Sequence, residues 1–92
     1  MPLIAGNTST SFTSGAYENS VFITGFSLAN KSGGSMTVSI GILYGSTFYV
    51  LYNHSLSAGE SYVYSGNEIL IPVGHTIYIS SSASCDYVIT IK

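Results

Sequence analysis

The stretch Met36-Thr37-Val38-Ser39-Ile40-Gly41-Ile42-Leu43-Tyr44-Gly45-Ser46-Thr47-Phe48-Tyr49-Val50-Leu51-Tyr52 decides how this chain folds. Met36, Val38, Ile40, Ile42 and Tyr44 fall on alternate positions with small or polar residues between most of them, the pattern of a strand with one buried face. Gly45-Ser46 can make a tight reversal, and Thr47 to Tyr52 returns as a second strand, so the pair reads as a β-hairpin. Upstream, Asn30-Lys31-Ser32-Gly33-Gly34 gathers residues that tolerate positive φ and closes the β-rich run from Val21 to Ala29. In that run the expected inner face is Phe22, Thr24, Phe26 and Leu28, with Gly25 marking a bulge or a close crossing.

The second half repeats this grammar with shorter strands. Turn clusters at Ser57-Ala58-Gly59, Ser65-Gly66-Asn67, Pro72-Val73-Gly74 and Ser82-Ala83-Ser84 separate Ser61 to Tyr64, Glu68 to Ile71, Thr76 to Ser80 and Tyr87 to Ile91. Ile77 and Ile79, then Tyr87, Ile89 and Ile91, alternate with their neighbours as strands with one buried face do. Ser9 to Ser14 is a further strand candidate, anchored by Phe12. Gly, Pro or β-branched runs interrupt every window that could hold a helix of ordinary length. About eight short strands in a chain of this size predict an all-β fold, an antiparallel β-sandwich of jelly-roll type, with an immunoglobulin-like sandwich as the alternative. The paired Cys and central Trp of antibody domains are absent. At 92 residues the expectation is one domain over 1–92, with residues 1–8 as a candidate extended arm.

Composition narrows the function. Charged residues make up 7% of the chain, against roughly 25% in an average soluble domain, while 46% are hydrophobic. Ser, Thr, Asn and Gly therefore fill the polar positions, giving a neutral exterior suited to packing against other proteins. Lys31 and Lys92 are the only basic side chains, too few to track a phosphate backbone, so nucleic acid is not an expected partner. A net charge of −2 supplies little colloidal repulsion and favours a homo-oligomer, with a trimer or a ring as the expected form. The start Met-Pro-Leu-Ile-Ala-Gly lacks a basic n-region and long apolar run, and no segment reaches the roughly 20 apolar residues of a membrane helix. No membrane partner is expected, and synthesis in a cytoplasm is.

The residues that could carry chemistry are sparse. Glu60 and Glu68 both flank turns, where solvated caps are far commoner than a glycosidase pair. His54 and His75 lie far apart without a local third ligand, and the many serines precede no strand-to-helix elbow. The single cysteine, Cys85, has Asp86 beside it, which disfavours a reactive thiolate. The expectation is a non-enzyme with no catalytic residues, no metal and no cofactor. The tyrosines are more suggestive, because Tyr44, Tyr49, Tyr52, Tyr62, Tyr64 and Tyr78 crowd the middle of the chain. Both faces of the strand through Tyr49 are apolar, and without helices a second subunit could supply the outer cover. Phe48, Tyr49, Leu51, Tyr52, Tyr62 and Tyr64 are the candidate interface, with a carbohydrate-binding platform as a weaker reading.

The order of pieces carries a resemblance. Ser11-Phe12-Thr13, Val21-Phe22-Ile23-Thr24 and Leu28-Ala29-Asn30 precede the alternating strand, and Leu56-Ser57-Ala58-Gly59-Glu60-Ser61 follows it. The close runs from Ile69-Leu70-Ile71-Pro72-Val73-Gly74 through His75-Thr76-Ile77-Tyr78-Ile79. Over nearly its whole length the chain resembles small β-sandwich structural proteins of tailed bacteriophage virions, in turn grammar rather than in chemistry. His75 departs from the pattern, standing where an acidic residue is expected after the turn glycine. The resemblance implies a virion location and a capsid cement or decoration protein bound to the major capsid protein. A neck, tail or fibre-attachment subunit of the same particle, bound to other virion proteins, is the alternative. It transfers no catalytic residue.

Overall fold

A computed structural model describes residues 3–15 and 17–92. Eight strands follow in order: β1 Leu3–Thr8, β2 Ser11–Thr13, β3 Val21–Asn30, β4 Met36–Tyr44, β5 Thr47–Leu56, β6 Ser61–Ile71, β7 Thr76–Ser81 and β8 Cys85–Ile91. They form two antiparallel four-stranded sheets of order β1-β8-β3-β6 and β2-β7-β4-β5. The pairs β1–β8, β2–β7, β3–β6 and β4–β5 are those of one long hairpin, turned at Gly45-Ser46 and rolled up. That is the jelly roll, and it differs from the immunoglobulin-like alternative. β4 and β5 are the consecutive strands that share a sheet, and the other connections arch from one sheet to the other. Gly45 has φ 61°, the positive value a type II′ hairpin turn requires at its first position.

The inward faces make one core. Ile23, Phe26 and Leu28 of β3, with Ile89 and Ile91 of β8, meet Met36, Val38 and Ile40 of β4 and Ile77 and Ile79 of β7. The alternation read in β7, β8 and β4 from Met36 to Ile42 is therefore the alternation of the structure, while Tyr44, read on the same face, lies beyond the core and is exposed. In β3 the alternation holds only in part, because a register shift between Ile23 and Gly25 makes Thr24 an extra residue against β8, while against β6 the extra residues are Gly66 to Glu68 of β6. Phe26 and Leu28 face inward as expected, but Ile23 is fully buried in place of Phe22 and Thr24. The bulge is held by Thr24, whose Oγ1 lies 2.9 Å from Thr90 Oγ1 and 3.2 Å from Thr90 O. One extra residue reverses the facing of everything beyond it.

Two other expectations change. Ser65-Gly66-Asn67 is an irregularity inside the continuous strand β6, which pairs with β3 on both sides of it. A reversal there would have left Val21 to Ile23 of β3 paired on the β8 side alone. The Tyr64 hydroxyl donates to Asn67 O at 2.7 Å across the kink. Of the stretch read as an arm, residues 1–2 lie outside the described residues and Leu3–Thr8 pairs along β8 as an edge strand.

The connections at one end of the sandwich converge on Asn30, which is 2% exposed. Its Nδ2 donates toward Gly34 O at 2.8 Å and toward Leu56 O and Ser57 O at 3.0 Å, while its Oδ1 accepts from Ser32 N at 2.8 Å. One amide thus joins the β3–β4 and β5–β6 connections and supplies a side-chain donor to the carbonyl of buried Leu56.

Candidate functional site

The aromatic residues of β5 and β6 are brought together at one side of the sandwich, where the last strands of the two sheets lie against each other. Tyr52 stacks on Tyr62 with ring centroids 4.0 Å apart, and Phe26 stacks on Tyr64 at 5.2 Å. Phe26 also lies 6.0 Å from Tyr62 and 6.2 Å from Tyr52. These rings close the open side of the core, so Tyr52, Tyr62 and Tyr64 are half-buried and spend their faces within the chain.

Of the remaining candidates Phe48 is half-buried while Tyr49 and Leu51 are exposed, and a second bulge sets which way this part of β5 faces. Tyr52 pairs with Ile40 and Val50 pairs with Gly41, leaving Leu51 as an extra residue. Tyr49 and Tyr52 consequently share the side of their inward-facing partners Ile42 and Ile40, while Phe48 and Val50 face outward. Phe48 lies over Gly41 and meets Tyr78 edge-on at 4.9 Å. Tyr49 is 55% exposed and Val50 is 51% exposed, with Leu51 and Tyr44 exposed beside them. Tyr44 stacks on His75 at 4.4 Å, and His75 Nδ1 lies 3.2 Å from Val73 O, which ties the hairpin tip to the β6–β7 turn. Of the six candidate residues, the hairpin thus presents Tyr49 and Leu51, joined by Val50 and Tyr44. Regular alternation would put Val50 on one face with Phe48 and Tyr52, and the bulge moves Tyr52 to the other face beside Tyr49.

The ionisable groups are dispersed. Glu60 Oε1 accepts from Ser57 N at 2.8 Å and caps the β5–β6 turn, whereas Glu68 takes Lys92 Nζ at 2.6 Å. With the β6 irregularity between them, these carboxylates stand six to seven strand positions apart, roughly 20 Å and far beyond a catalytic pair. No group of three His, Cys, Asp or Glu residues among the described ones could hold a metal ion. No helix among the described residues is long and apolar enough to cross a membrane. Cys85 is fully buried, and burial raises its pKa, with Asp86 adding to the effect.

Burial likewise raises the pKa of Tyr52 and of Tyr87. A group held neutral in the folded state contributes stability that is complete below its ordinary pKa and is lost as pH rises through the folded value. Stability is therefore expected to be flat through neutral pH and to fall from about pH 9 upward. Urea unfolding across this range checks it, and Tyr87→Phe should make the alkaline fall shallower.

No family model matches this sequence, and neither a curated protein nor a solved structure matches it. The hairpin and the outer sheet faces therefore carry the functional reading.

Proposed function

We propose that this protein is a structural subunit of a tailed-bacteriophage virion, a capsid cement or decoration protein that acts by burying neutral surface against its neighbours. The observation that carries the reading is the β4–β5 hairpin. Between Lys31 and Glu60 the chain contains no Asp, Glu, Lys or Arg, and within that span Tyr49, Val50 and Leu51 stand exposed on adjacent positions. Such a surface gains by being covered with another apolar and hydroxyl-bearing surface, and its lack of charge suits close packing across the joints of a shell. The resemblance in strand and turn order supports the virion as the setting. In this role the chain needs no cofactor and performs no chemistry.

Mass spectrometry of purified particles of the encoding phage tests the proposal. The chain is expected in the particles in a copy number comparable to that of the major capsid protein, and its absence sinks the idea. A copy number far below that of the shell replaces cement with a neck, tail or fibre-attachment subunit. Val50→Lys places a charge on the exposed hairpin without touching the core, and particles assembled with it are expected to carry at least about tenfold less of the protein at limiting concentration, as loss of one well-placed apolar contact implies. Unchanged occupancy would move the contact to another surface.

A further inference from the structure

The outward face of the β1-β8-β3-β6 sheet has nothing over it among the described residues, and the strand registers give its layout. Ala5, Val88, Ser27 and Val63 stand in one row across the four strands. Leu3 and Leu70 lie on the same face, with Val63 at 69% and Leu3 at 61% exposure. Charge is confined to the two ends. Lys31 lies 3.9 Å from Asp86 at one end, and Lys92 lies 2.6 Å from Glu68 at the other. On the face itself each end thus carries one side chain of either sign, while Glu60, beside the Lys31–Asp86 end, turns into the β5–β6 connection where it caps Ser57 N.

We infer that this face is a self-association surface, covered by a second copy of the chain across a two-fold axis that lies in the plane of the face and runs across the strands. The arrangement of charge selects this partner. Such an axis exchanges the two ends, so Asp86 on β8 comes opposite Lys92 of the partner subunit, at the end of the same strand. Lys31 comes beside Glu68 of the partner subunit. Each ion pair thereby gains a second pair of opposite sign, whereas a strongly basic or acidic partner would meet an equal number of repelling charges. Relief agrees with charge. Val63 projects from the face, and beside it a recess of about 300 Å³ is floored by Gly25 and lined by Thr24, Ser65 and Thr90. The exchange of ends brings the prominent side chain of one copy toward the recess of the other.

Area agrees as well. Four strands spaced about 4.8 Å apart and about eight residues long outline roughly 500 Å² in projection, which standing side chains enlarge. A standard interface takes about 800 Å² from each partner, so this contact is of the scale of a weak but specific dimer. A face that pairs with itself saturates at two copies, whereas a ring needs two different complementary patches. A two-fold pair therefore takes the place of the trimer or ring expected of such a sandwich. This inference does not depend on where the protein resides, and it leaves the β4–β5 hairpin, which belongs to the other sheet, available for a different neighbour.

Sedimentation velocity of the full chain over a micromolar concentration series tests it. The expected species at the upper end has twice the 9.7 kDa mass of the chain. Val63→Lys puts two lysines into the uncharged centre of the contact and is expected to weaken the dimer at least about tenfold while leaving thermal unfolding of the monomer unchanged. Thr13→Lys, on the outward face of the other sheet, is the control and should dimerise as the parent does. Raising the salt concentration should weaken the dimer by screening the end clusters. A parent chain that stays monomeric, a trimer, or a Val63→Lys variant that dimerises undiminished each overturns the inference.

Discussion

Asn30→Asp is expected to destabilise the protein by about 3–5 kcal/mol at neutral pH, a large fraction of the total stability of a domain this size. The substitution changes no volume. It replaces the amide that faces three carbonyl oxygens, at 2.8, 3.0 and 3.0 Å, with a carboxyl oxygen that repels all three when ionised and can donate to only one of them when protonated. Because Asn30 is buried, water cannot relieve the mismatch. The introduced carboxyl is held neutral in the folded state, so its pKa rises above the ordinary value near about 4. Its penalty is then smallest in acid and grows as pH increases through the range between the unfolded and folded values. Asn30→Ala removes the side-chain donor to buried Leu56 O and the acceptor for Ser32 N, while Ser57 O keeps Glu60 N and Gly34 O keeps Ser32 Oγ, and should cost about 1–3 kcal/mol, with no such pH dependence. Urea unfolding of the three proteins at mild acid and neutral pH distinguishes the mechanisms. If Asp and Ala variants share one pH profile, the amide is not the hub described above.

Gly41→Ala is the second large effect. A Cβ at Gly41 would lie 2.0 Å from Tyr49 O and 2.9 Å from the Phe48 ring. The nearest obstacle is backbone of the paired strand, which cannot rotate aside as a side chain can. β5 must therefore lift from β4 at the Leu51 bulge, and the Phe48–Tyr78 contact separates with it. A loss of at least about 3 kcal/mol is expected, above the usual range for an added methyl in a packed site. Hydrogen exchange should show the loss concentrated in Phe48 to Tyr52. Gly33→Ala and Gly34→Ala meet nothing within 4 Å and should change stability by less than about 0.5 kcal/mol. A Gly41→Ala protein as stable as these would show that the close approach of β5 is not needed.

Both effects sit where the chain departs from regular strand geometry, and the same places divide what could be read from the residues from what could not. Period-two patterning in Met36 to Ile42, Ile77 to Ile79 and Tyr87 to Ile91 predicts buried faces that the core contains. That pattern is local, because successive side chains on a strand point to opposite sides whatever lies beyond. The Gly45-Ser46 reversal is local too, since it depends on backbone φ at one glycine. Bulges are not local. Whether Thr24 is an extra residue depends on the paired segment of β8, and whether Leu51 is extra depends on β4.

The facing of the candidate interface followed from those bulges. Tyr52, Tyr62 and Tyr64 were legible as an aromatic group but not as one that packs on Phe26, because their meeting requires β5 and β6 to close the same side of two different sheets. Val63 was legible as the position between two tyrosines, and its place in the Ala5-Val88-Ser27-Val63 row appeared only when β1, β8 and β3 were aligned beside it.

By itself the sequence determined that this protein is all-β and antiparallel, that it exposes little charge, and which side of most strands is apolar. Propensity, turn chemistry and alternation act over a few residues, so they are written in the order of the chain. The tertiary structure decided which strands are neighbours, where the register slips, and which apolar side chains are left outside the core. Those outcomes depend on contacts between segments as distant as Leu3 and Thr90, and only the folded arrangement of all eight strands brings such segments together.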